Sequence, residues 1–243
     1  MPEGPSLVLL KEALVPFVGK KVTDVEGNTR ISLPVIKGKK ITEIKTFGKE
    51  LLICFPGFTI RIHFLLFGTY RINERKDMAP RLRLVCGTQE VNFYTSSIRI
   101  LYEPPDDLYD WSADVLSPQW SHRKAMAKLA KIPDTMVCDA ILDQHIFAGA
   151  GNIIKNEVLF RIRVHPATLV GQLPAKKKSE LVKEVVNYSF QFLEWKRAFV
   201  LKKHWLIHTK KICPRCHIPA HKEYLGKTNR RTFYCDNCQV LYE

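Results

Sequence analysis

Long hydrophobic runs are absent from this sequence, and so is any internal repeat or low-complexity tract. No apolar run exceeds five residues, whereas a membrane-spanning helix needs roughly 20. The N-terminus has no basic region ahead of its apolar residues and includes Glu3 and Glu12, which is unlike a secretory signal. We therefore expect an intracellular protein, in the cytoplasm, nucleoid or nucleus, that is not secreted and has no membrane partner.

Acidic residues are few relative to basic ones, with 24 Asp and Glu against 38 Lys and Arg and a net charge of +14. Residues 1–120 contribute +2 of this excess, and residues 121–200 and 201–243 contribute +6 each. A basic surface favours polyanions, because each Lys or Arg that meets a phosphate releases condensed counterions. Many basic proteins bind no nucleic acid, so charge alone leaves the partner open.

The seven cysteines fall into two kinds. Cys54, Cys86 and Cys138 stand alone in apolar sequence and are expected to be small core residues. The other four form the pairs CPRC and CDNC, separated by eighteen residues, a spacing typical of one tetrahedral Zn²⁺ site. Two disulfides are the alternative and would need an oxidising compartment. The predicted zinc ligands are Cys213, Cys216, Cys235 and Cys238.

Zinc with four sulfur ligands is structural, so any catalytic group must lie elsewhere in the chain.

Hydrophobic periodicity divides the chain into two parts. A helix is predicted at about 5–15, with Pro5 in its first turn. Short β-branched and apolar segments between turn signals then predict an antiparallel sandwich or barrel, with strands near 41–46, 50–55, 58–63, 69–73, 81–87, 90–95 and 98–102. From about residue 121 the period becomes helical, over 125–129, 134–142, 153–160 and 179–200.

Between the β part and the helical part of the chain lies a stretch that contains acidic, Pro and Ser residues, which is typical of a linker. We therefore expect an α+β, multidomain protein, with an N-terminal β domain at 1–110, a linker at 111–120, a helical domain at 121–209 and a zinc finger at 210–243.

Pro2 and Glu3 are a chemically distinctive pair. If Met1 is removed, Pro2 presents a secondary amine whose pKa of about 8 leaves a usable neutral fraction at pH 7, unlike an ordinary lysine at about 10.4. Attack by this amine on a sugar carbon gives an iminium, which accepts electrons during elimination. Glu3 could act there as acid or base. Many proteins begin with Met-Pro, so the pair is also compatible with no catalytic role.

The stretch AGAGNIIKNEVLF at 148–160 is a candidate anion site. Gly149 and Gly151 permit a sharp turn, and backbone N–H groups at the start of the next helix can point at a phosphate. The side-chain amide of Asn152 could donate at the same place. The alternative is a tight helical hairpin in which Asn152 is a helix cap.

Together these motifs resemble a known family. MPEGP at the start, FGKELLI around Lys49, LDQHIFAGAGNIIKNEVLFRIRVHP at 142–166 and CPRC…NRRTFYCDNC at the end are similar to the motifs of the formamidopyrimidine-DNA glycosylase and endonuclease VIII family, in the family's order. The resemblance covers essentially the whole chain. It implies an N-terminal antiparallel β-sandwich with helices, a helix-two-turn-helix domain, and a four-cysteine zinc finger whose hairpin enters DNA.

The resemblance also implies an activity. It indicates a bifunctional DNA glycosylase and abasic-site lyase of base-excision repair, acting as a monomer on damaged DNA with one structural zinc ion and no small-molecule cofactor.

The resemblance assigns roles to individual residues. Pro2 matches the nucleophile that attacks C1′ of the damaged nucleotide, and Glu3 matches the carboxylate that assists opening of the sugar ring. Lys49 matches a lysine that contacts the phosphate beside the lesion and supports catalysis, although taken alone it would be a solvent-facing turn residue. Asn152 matches a phosphate-binding asparagine, and Arg230 matches the finger arginine that grips the flipped nucleotide's phosphates. Further DNA contacts are expected at Arg99, Lys155 and Arg231.

An intercalating wedge is expected within HFLLFG at 63–68. Leu65, Leu66 and Phe67 would fill the gap that a flipped base leaves, and apolar side chains suit that task. The alternative for these three residues is a buried strand.

Departures from the family pattern bear on the substrate. The arginine that formamidopyrimidine-type members aim at the opposite cytosine falls at Ile98, and the stretch between His165-Pro166 and Cys213 looks short for the loop that closes over 8-oxoguanine. Both departures favour oxidised pyrimidines as the substrates. The resemblance implies that these bases are removed through a Schiff base on Pro2 and that the strand is cleaved by β,δ-elimination. Formamidopyrimidine or 8-oxoguanine specificity is the alternative. Because Ser6 replaces a usual glutamate, an inactive relative that binds damaged DNA is another.

Overall fold

The computed structural model describes residues 2–243 and divides the chain into two compact units, the first ending at Tyr109 and the second beginning at Asp110. Each unit contains its own cluster of buried apolar side chains. Within the described residues, no helix combines the length and the apolar character needed to cross a membrane.

The first unit is built on one antiparallel sheet. Its elements are helix α1 (Gly4–Ala13), strands β1 (Asp24–Glu26), β2 (Glu43–Phe47), β3 (Glu50–Phe55), β4 (Phe58–Ile72), β5 (Leu82–Cys86) and β6 (Gln89–Leu101), and the short helix α2 (Pro105–Leu108). The strand order is β1-β5-β6-β4-β3-β2, and every neighbouring pair is antiparallel. The antiparallel β architecture expected for this half is confirmed.

The strand boundaries differ from the prediction in the middle of the sheet. The segments expected at 58–63 and 69–73 are one strand, β4, and those expected at 90–95 and 98–102 are one strand, β6. Pairing between β4 and β6 shifts register between Phe64 and Thr69. Sequence alternation breaks at this irregularity, because residues 65–68 of β4 face only Thr95 of β6 and the hydrogen-bonded ladder is interrupted until Thr69.

The core of the first unit follows from the period of its elements. Ile60, Ile62 and Phe64 alternate along β4 and are buried, as the two-residue period of a strand requires. Leu7 and Leu10, one helical turn apart on α1, are buried in the same cluster. Helix α1 packs against β2 and β3, so the first residues of the chain are held against the sheet.

The second unit is helical with a terminal hairpin. Its elements are α3 (His122–Leu129), α4 (Val137–Leu142), α5 (Asn152–Arg161), α6 (Ala175–Arg197), β7 (His221–Leu225) and β8 (Arg230–Tyr234). The expected switch from strands to helices is therefore present.

The expected linker at 111–120 is wrong. Val115 is fully buried in the helical core, and its backbone N–H donates to Ala148 O at 3.1 Å. Trp120 stacks on Phe147 with ring centroids 5.9 Å apart. The apolar side chains of this stretch outweigh its acidic and Pro residues, so it packs as part of the second unit. That unit also holds both the helical region and the finger, which were expected as separate domains.

Glu90 on β6 is the centre of a polar cluster in the first unit. Its carboxylate accepts hydrogen bonds from Arg75 (2.8 and 2.9 Å), Arg83 (2.8 Å) and Asn92 (2.9 Å). The hydrogen bonds from Arg75 are the largest cause that lowers the pKa of Glu90 to about 2, and those from Asn92 and Arg83 add to it against the opposing effect of burial.

We predict that Glu90→Gln lowers the free energy of unfolding at pH 7 by about 2 kcal/mol, after allowance for solvent screening at the exposed Arg75. A lowered folded-state pKa means that the carboxylate stabilises the fold above the unfolded pKa of about 4.3 and loses this effect as pH falls towards 2. Wild type should therefore lose more stability than the variant between pH 5 and 2, measured by urea unfolding.

The control is Glu74→Gln, because Glu74 is exposed and its ion pair with Arg71 is long, at 3.7 Å. This control should change stability by less than about 0.5 kcal/mol. A Glu90→Gln protein that matches wild type at pH 7 and keeps the full acid dependence would contradict the assignment.

Candidate functional site

The N-terminal pair lies directly ahead of a fixed helix. Helix α1 begins at Gly4 with Pro5 in its first turn, as expected. Glu3 has an extended backbone, accepts a hydrogen bond from Ser6 N at 2.8 Å through its carbonyl oxygen, and is only 3% exposed. Pro2 is half-buried. Met1, whose removal would expose the Pro2 nitrogen, lies outside the described residues.

Lys49 lies at the tip of the β2–β3 hairpin. Gly48 has φ +53° at the first of the two turn positions, and a positive φ at this position is typical of the tight turns that join hairpin strands. Lys49 follows it and is half-buried rather than fully solvent-exposed.

The neighbouring Glu50 binds a tight cluster of polar groups. Its carboxylate accepts hydrogen bonds from Arg61 Nη2 and from the Tyr109 hydroxyl, the latter at 2.7 Å. Burial and then the hydrogen bond to Glu50 raise the pKa of Tyr109. His63 lies opposite Glu50 on β4, and burial lowers its pKa, so the imidazole is neutral at pH 7. The backbone next to Lys49 is therefore held by side-chain bonds as well as by the sheet.

The apolar run in β4 is on the surface. Leu65, Leu66 and Phe67 are all exposed, Phe67 at 76%, although apolar side chains flank them in a hydrogen-bonded strand. They coincide with the register shift between β4 and β6. The buried-strand alternative is wrong for these three residues, because the irregularity turns them out of the core.

Two neighbouring residues on β6 have opposite environments. Ile98 packs in the core of the first unit, whereas Arg99 is exposed. A residue at position 98 is therefore part of the core rather than of the surface. Arg99 retains an exposed guanidinium for an anionic partner.

Asn152 is the first residue of α5, and it does not cap the helix. The cap residue is Gly151, and no side chain caps this end. The Asn152 amide instead donates to Arg231 O at 2.8 Å, across to the finger hairpin. Its Oδ1 atom is buried and has no hydrogen-bond partner among the described residues. An amide nitrogen has two N–H groups, so one remains for an anion.

The expected DNA contact at Lys155 is wrong. Lys155 is 1% exposed, and its ammonium donates to Thr232 Oγ1 at 2.7 Å and to Arg231 O at 3.3 Å. A basic residue in a helical pattern is usually solvated. Here its position on α5 faces β8, and the buried ammonium supports the strand that follows Arg230.

Asn156 and Glu157, the next two residues of α5, are also buried and polar, and their roles were not predicted from the sequence. Asn156 accepts from Phe233 N at 3.3 Å and contacts His208 Nδ1 at 2.9 Å. Burial lowers the pKa of His208 to about 4, so the neutral ring accepts the amide N–H. The only sequence signal was three consecutive polar residues, Lys155–Glu157, inside an apolar helix.

Glu157 and Arg215 complete the attachment of the finger to α5. The fully buried Glu157 carboxylate accepts the backbone N–H groups of residues 206–208 at 2.7–2.9 Å. Burial raises the pKa of Glu157, and these three bonds oppose the shift. Arg215 donates to Phe160 O at 2.7 Å and to Arg161 O at 3.4 Å, which satisfies carbonyls at the C-terminal end of α5.

A second helix, α4, binds the tip of the β7–β8 hairpin. Asp139 on α4 accepts from Lys227 N at 2.7 Å and from the Thr228 N–H and hydroxyl at 3.2 and 2.6 Å. Gly226 has φ +71°, and a Cβ there would lie 2.2 Å from Asp139 Oδ2. Only glycine therefore fits this turn as it is docked.

Arg230 begins β8 directly after this turn, opposite Leu225 on β7. Arg230 is half-buried and Arg231 is exposed. The turn on one side is held by Asp139, and the Arg231 carbonyl on the other side is held by Asn152 and Lys155. The backbone that carries both guanidinium groups is therefore fixed from two helices.

The four predicted zinc ligands lie together beside the hairpin. Their sulfur atoms all lie within 4.8 Å of one another, and Cys213 Sγ and Cys238 Sγ are 3.7 Å apart. Tetrahedral zinc with Zn–S bonds of about 2.3 Å needs sulfur atoms about 3.8 Å apart. Burial and the neighbouring sulfur groups raise the pKa of Cys238 to about 12, whereas hydrogen bonds from the backbone of Cys216 and Arg215 outweigh burial and lower the pKa of Cys213 to about 7. The residues fit a metal ion.

Comparison with known proteins gives relatives for most of the chain. Residues 112–194 match the family model described as the formamidopyrimidine-DNA glycosylase H2TH domain. Endonuclease 8-like 3 of Mus musculus is 32% identical over 216 residues, which covers 85% of this chain. Endonuclease 8-like 2 of Homo sapiens is 31% identical over 237 residues, which covers 91% of this chain. The chain spans 36% of the length of the first relative and 68% of the second.

A solved structure is similar over almost the whole chain. It is formamidopyrimidine-DNA glycosylase from Lactococcus lactis, bound non-covalently to DNA containing an abasic site. The TM-score is 0.85 at 19% identity, and the similarity covers 98% of this chain and 99% of that one. The expected fold class, with an antiparallel sheet, a helical region and a four-cysteine finger, is confirmed.

We predict that Gly226→Ala destabilises the second unit by about 3 kcal/mol. About 1 kcal/mol comes from a non-glycine residue at positive φ, and the remainder from the hydrogen bonds that Asp139 loses when the turn moves. The change is measured by thermal unfolding. The control is Gly87→Ala, because Gly87 has φ +64° and a Cβ there meets nothing within 4 Å. Equal effects of the two substitutions would show that the contact with Asp139 does not constrain the turn.

Proposed function

This chain belongs to the formamidopyrimidine-DNA glycosylase and endonuclease VIII family, and we propose that it is a bifunctional DNA glycosylase and abasic-site lyase of base-excision repair. The observation that carries the proposal is the placement of Pro2 and the buried Glu3 at the fixed start of α1. The partner is damaged DNA, and the protein acts as a monomer without a small-molecule cofactor.

Pro2 is the nucleophile of the proposed reaction. The target nucleotide leaves the base stack, because a duplex buries C1′ and unstacking is least costly at a damaged base. The neutral Pro2 nitrogen then forms a bond to C1′, the bond from C1′ to the base breaks, and the base leaves with its electron pair and a proton. Glu3 assists by donating a proton to the ring oxygen as the sugar opens.

Both strand-cleavage steps proceed from the iminium that results. It is a Schiff base between Pro2 and C1′, and it accepts the electron pair of a C2′–H bond when that proton is removed. The 3′ phosphate leaves in this β-elimination. A second elimination releases the 5′ phosphate, and water then frees Pro2 from the sugar fragment.

The other predicted site residues would hold the DNA. Lys49 and Arg99 in the first unit, and Asn152, Arg230 and Arg231 in the second, supply donors for phosphate oxygens. A guanidinium at Arg230 can grip a phosphate with two parallel hydrogen bonds. The exposed run Leu65–Phe67 would occupy the space that the flipped base vacates.

Oxidised pyrimidines are the proposed substrates. Ile98 stands where formamidopyrimidine-type members place an arginine, and it packs in the core. This position therefore offers no guanidinium to an opposite cytosine, which supports a specificity like that of endonuclease VIII. Preference for 8-oxoguanine or formamidopyrimidines, and DNA binding without catalysis, are the competing functions.

Zinc is the proposed metal, as a single structural ion. The four residues Cys213, Cys216, Cys235 and Cys238 would fill all four positions of a tetrahedral site, which leaves none for a substrate. The ion would neutralise the thiolates and fix the two turns that flank the hairpin carrying Arg230.

We predict that borohydride traps a covalent adduct between the protein and lesion-containing DNA, and that Pro2→Gly lowers turnover by orders of magnitude without affecting folding. Labelled duplexes would carry thymine glycol, dihydrouracil, 8-oxoguanine or an abasic site. The adduct should form most rapidly with the two pyrimidine lesions. Protein that retains Met1 is the matched control, because it differs by this one residue and its Pro2 nitrogen is acylated.

The outcomes separate the competing functions. Trapping that ranks 8-oxoguanine first would overturn the proposed specificity. An adduct with the abasic site alone would indicate a lyase without base recognition. No adduct on any substrate, from protein with a free Pro2, would establish a binding protein without this chemistry.

We also predict that removal of zinc by a chelator abolishes binding of lesion-containing duplex DNA, because the site and the hairpin fold together. Binding is measured by fluorescence anisotropy and metal content by mass spectrometry of the native protein. Re-addition of zinc should restore affinity. Normal binding to lesion DNA by metal-free protein would exclude the proposed role of the finger.

A further inference from the structure

The C-terminal end of α6 has an unusual residue at its cap. Phe199 N donates to Lys196 O at 3.1 Å, and Val200 N donates to Trp195 O at 2.8 Å. These two bonds form a Schellman motif, in which the residue at the position of Phe199 adopts a left-handed conformation and is usually glycine. Phe199 has φ +59°, so a bulky side chain occupies a backbone conformation that disfavours it.

Phe199 is also the most exposed large hydrophobic side chain in the described part of the chain, at 96%. A phenylalanine that is almost fully exposed buries no surface and stabilises no core. Because its backbone conformation is also unfavourable, neither packing nor local propensity explains the residue.

The chain segment that begins directly after Glu194 and contains Phe199 is strongly basic. Residues 195–222 contain eight Lys or Arg residues and no Asp or Glu. Lys202 and Lys203 follow Phe199 by three and four residues and are both exposed. A polyanion is the partner that this charge distribution favours.

The segment after Phe199 is held in place. Residues 201–204 form a 3₁₀ turn, and His204 stacks on Trp195 with ring centroids 4.2 Å apart and an angle of 5° between planes. The following residues 206–208 are bonded to Glu157 on α5. The ring and the two lysines are therefore presented by an ordered backbone.

We propose that Phe199, Lys202 and Lys203 form a binding site for single-stranded nucleic acid, in which an unpaired base stacks on the Phe199 ring and the lysines contact the flanking phosphates. An aromatic platform beside cationic side chains is the arrangement that binds single strands without sequence preference. A duplex does not fill the site, because its bases are stacked on one another. None of these three residues is among those assigned to base excision, and the site requires no damage in the nucleic acid.

A single strand fits this surface better than a lipid bilayer does. Membrane-surface helices insert a continuous apolar face, whereas the exposed stripe of α6 that leads to Phe199 has one apolar side chain, Phe190, among Lys183, Asn187, Glu194 and Arg197. One ring offers a stacking partner for one base and little area for insertion among lipids.

The test measures binding of undamaged (dT)12, and of a 12-base-pair duplex, by fluorescence anisotropy with the full chain. Phe199→Gly should weaken binding of (dT)12 at least about fivefold and leave duplex binding and lesion excision unchanged. Its melting temperature should equal or exceed that of wild type, because glycine is favoured at this position. Phe199→Trp should bind (dT)12 at least as tightly as wild type.

Thr209→Gly is the matched control, because Thr209 lies in the same unit and has φ +63°. It makes the same change to the backbone without removing an aromatic ring, and (dT)12 binding should be unchanged. The double substitution Lys202→Ala/Lys203→Ala should reduce the slope of log K against log salt by about 1.4, since each phosphate contact to a single strand contributes about 0.7. Phe199→Gly should leave this slope unaltered.

The proposal is overturned if Phe199→Gly binds (dT)12 as tightly as wild type, or if it weakens duplex binding equally. It is also overturned if the substitution abolishes binding to phosphatidylserine vesicles and leaves (dT)12 binding unchanged, since the surface would then be a membrane site. These results do not depend on base excision. If borohydride traps no DNA but Phe199→Gly weakens (dT)12 binding, the single-strand site stands and the proposed base excision fails. If borohydride traps DNA but Phe199→Gly leaves (dT)12 binding unchanged, base excision stands and the single-strand site fails.

Discussion

The second unit depends on one constraint, which is that α5 buries three consecutive polar side chains. A buried amide, ammonium or carboxylate without a partner costs several kcal/mol, so Lys155, Asn156 and Glu157 must each be satisfied. Their partners are the residues around the finger: Thr232, Phe233, and the backbone of 206–208. The helix and the finger therefore form one structure, and neither is complete without the other.

This constraint explains how a small hairpin can hold guanidinium groups accurately. A two-stranded hairpin alone is marginally stable. Here the strand after Arg230 is bonded to α5, the turn before it is bonded to Asp139 on α4, and the four-cysteine cluster lies at its base. Recognition of a phosphate by two parallel hydrogen bonds needs such a fixed frame. The buried polar residues thus serve the proposed DNA interface without touching DNA.

Sequence reasoning succeeded where the signal was local. The Cys-x-x-Cys pairs, a first helix with Pro5 in its first turn and the helix after Gly151 depend on neighbouring residues, and they were predicted. It failed where distant residues decide the outcome. Nothing near Lys155 indicates that β8 will cover it, and Asp139 and Thr228 are bonded across 89 positions. The stretch at 111–120 has the composition of a linker, and only the helical core explains its burial.

The apolar run Leu65–Phe67 has a mechanical consequence. It lies in β4, a fifteen-residue strand. The last residue of β4 that pairs with β3 is His63, and the ladder with β6 stops at Phe64 and resumes at Thr69. The paired segments fix both ends of the run, whereas residues 65–68 lie outside the ladder. In the proposed encounter with DNA the run is therefore a short span anchored at both ends, whose own side chains adapt to the base stack while the sheet keeps its position. Differences in stiffness between intact and damaged steps would then be sensed by this span rather than by a displacement of the sheet.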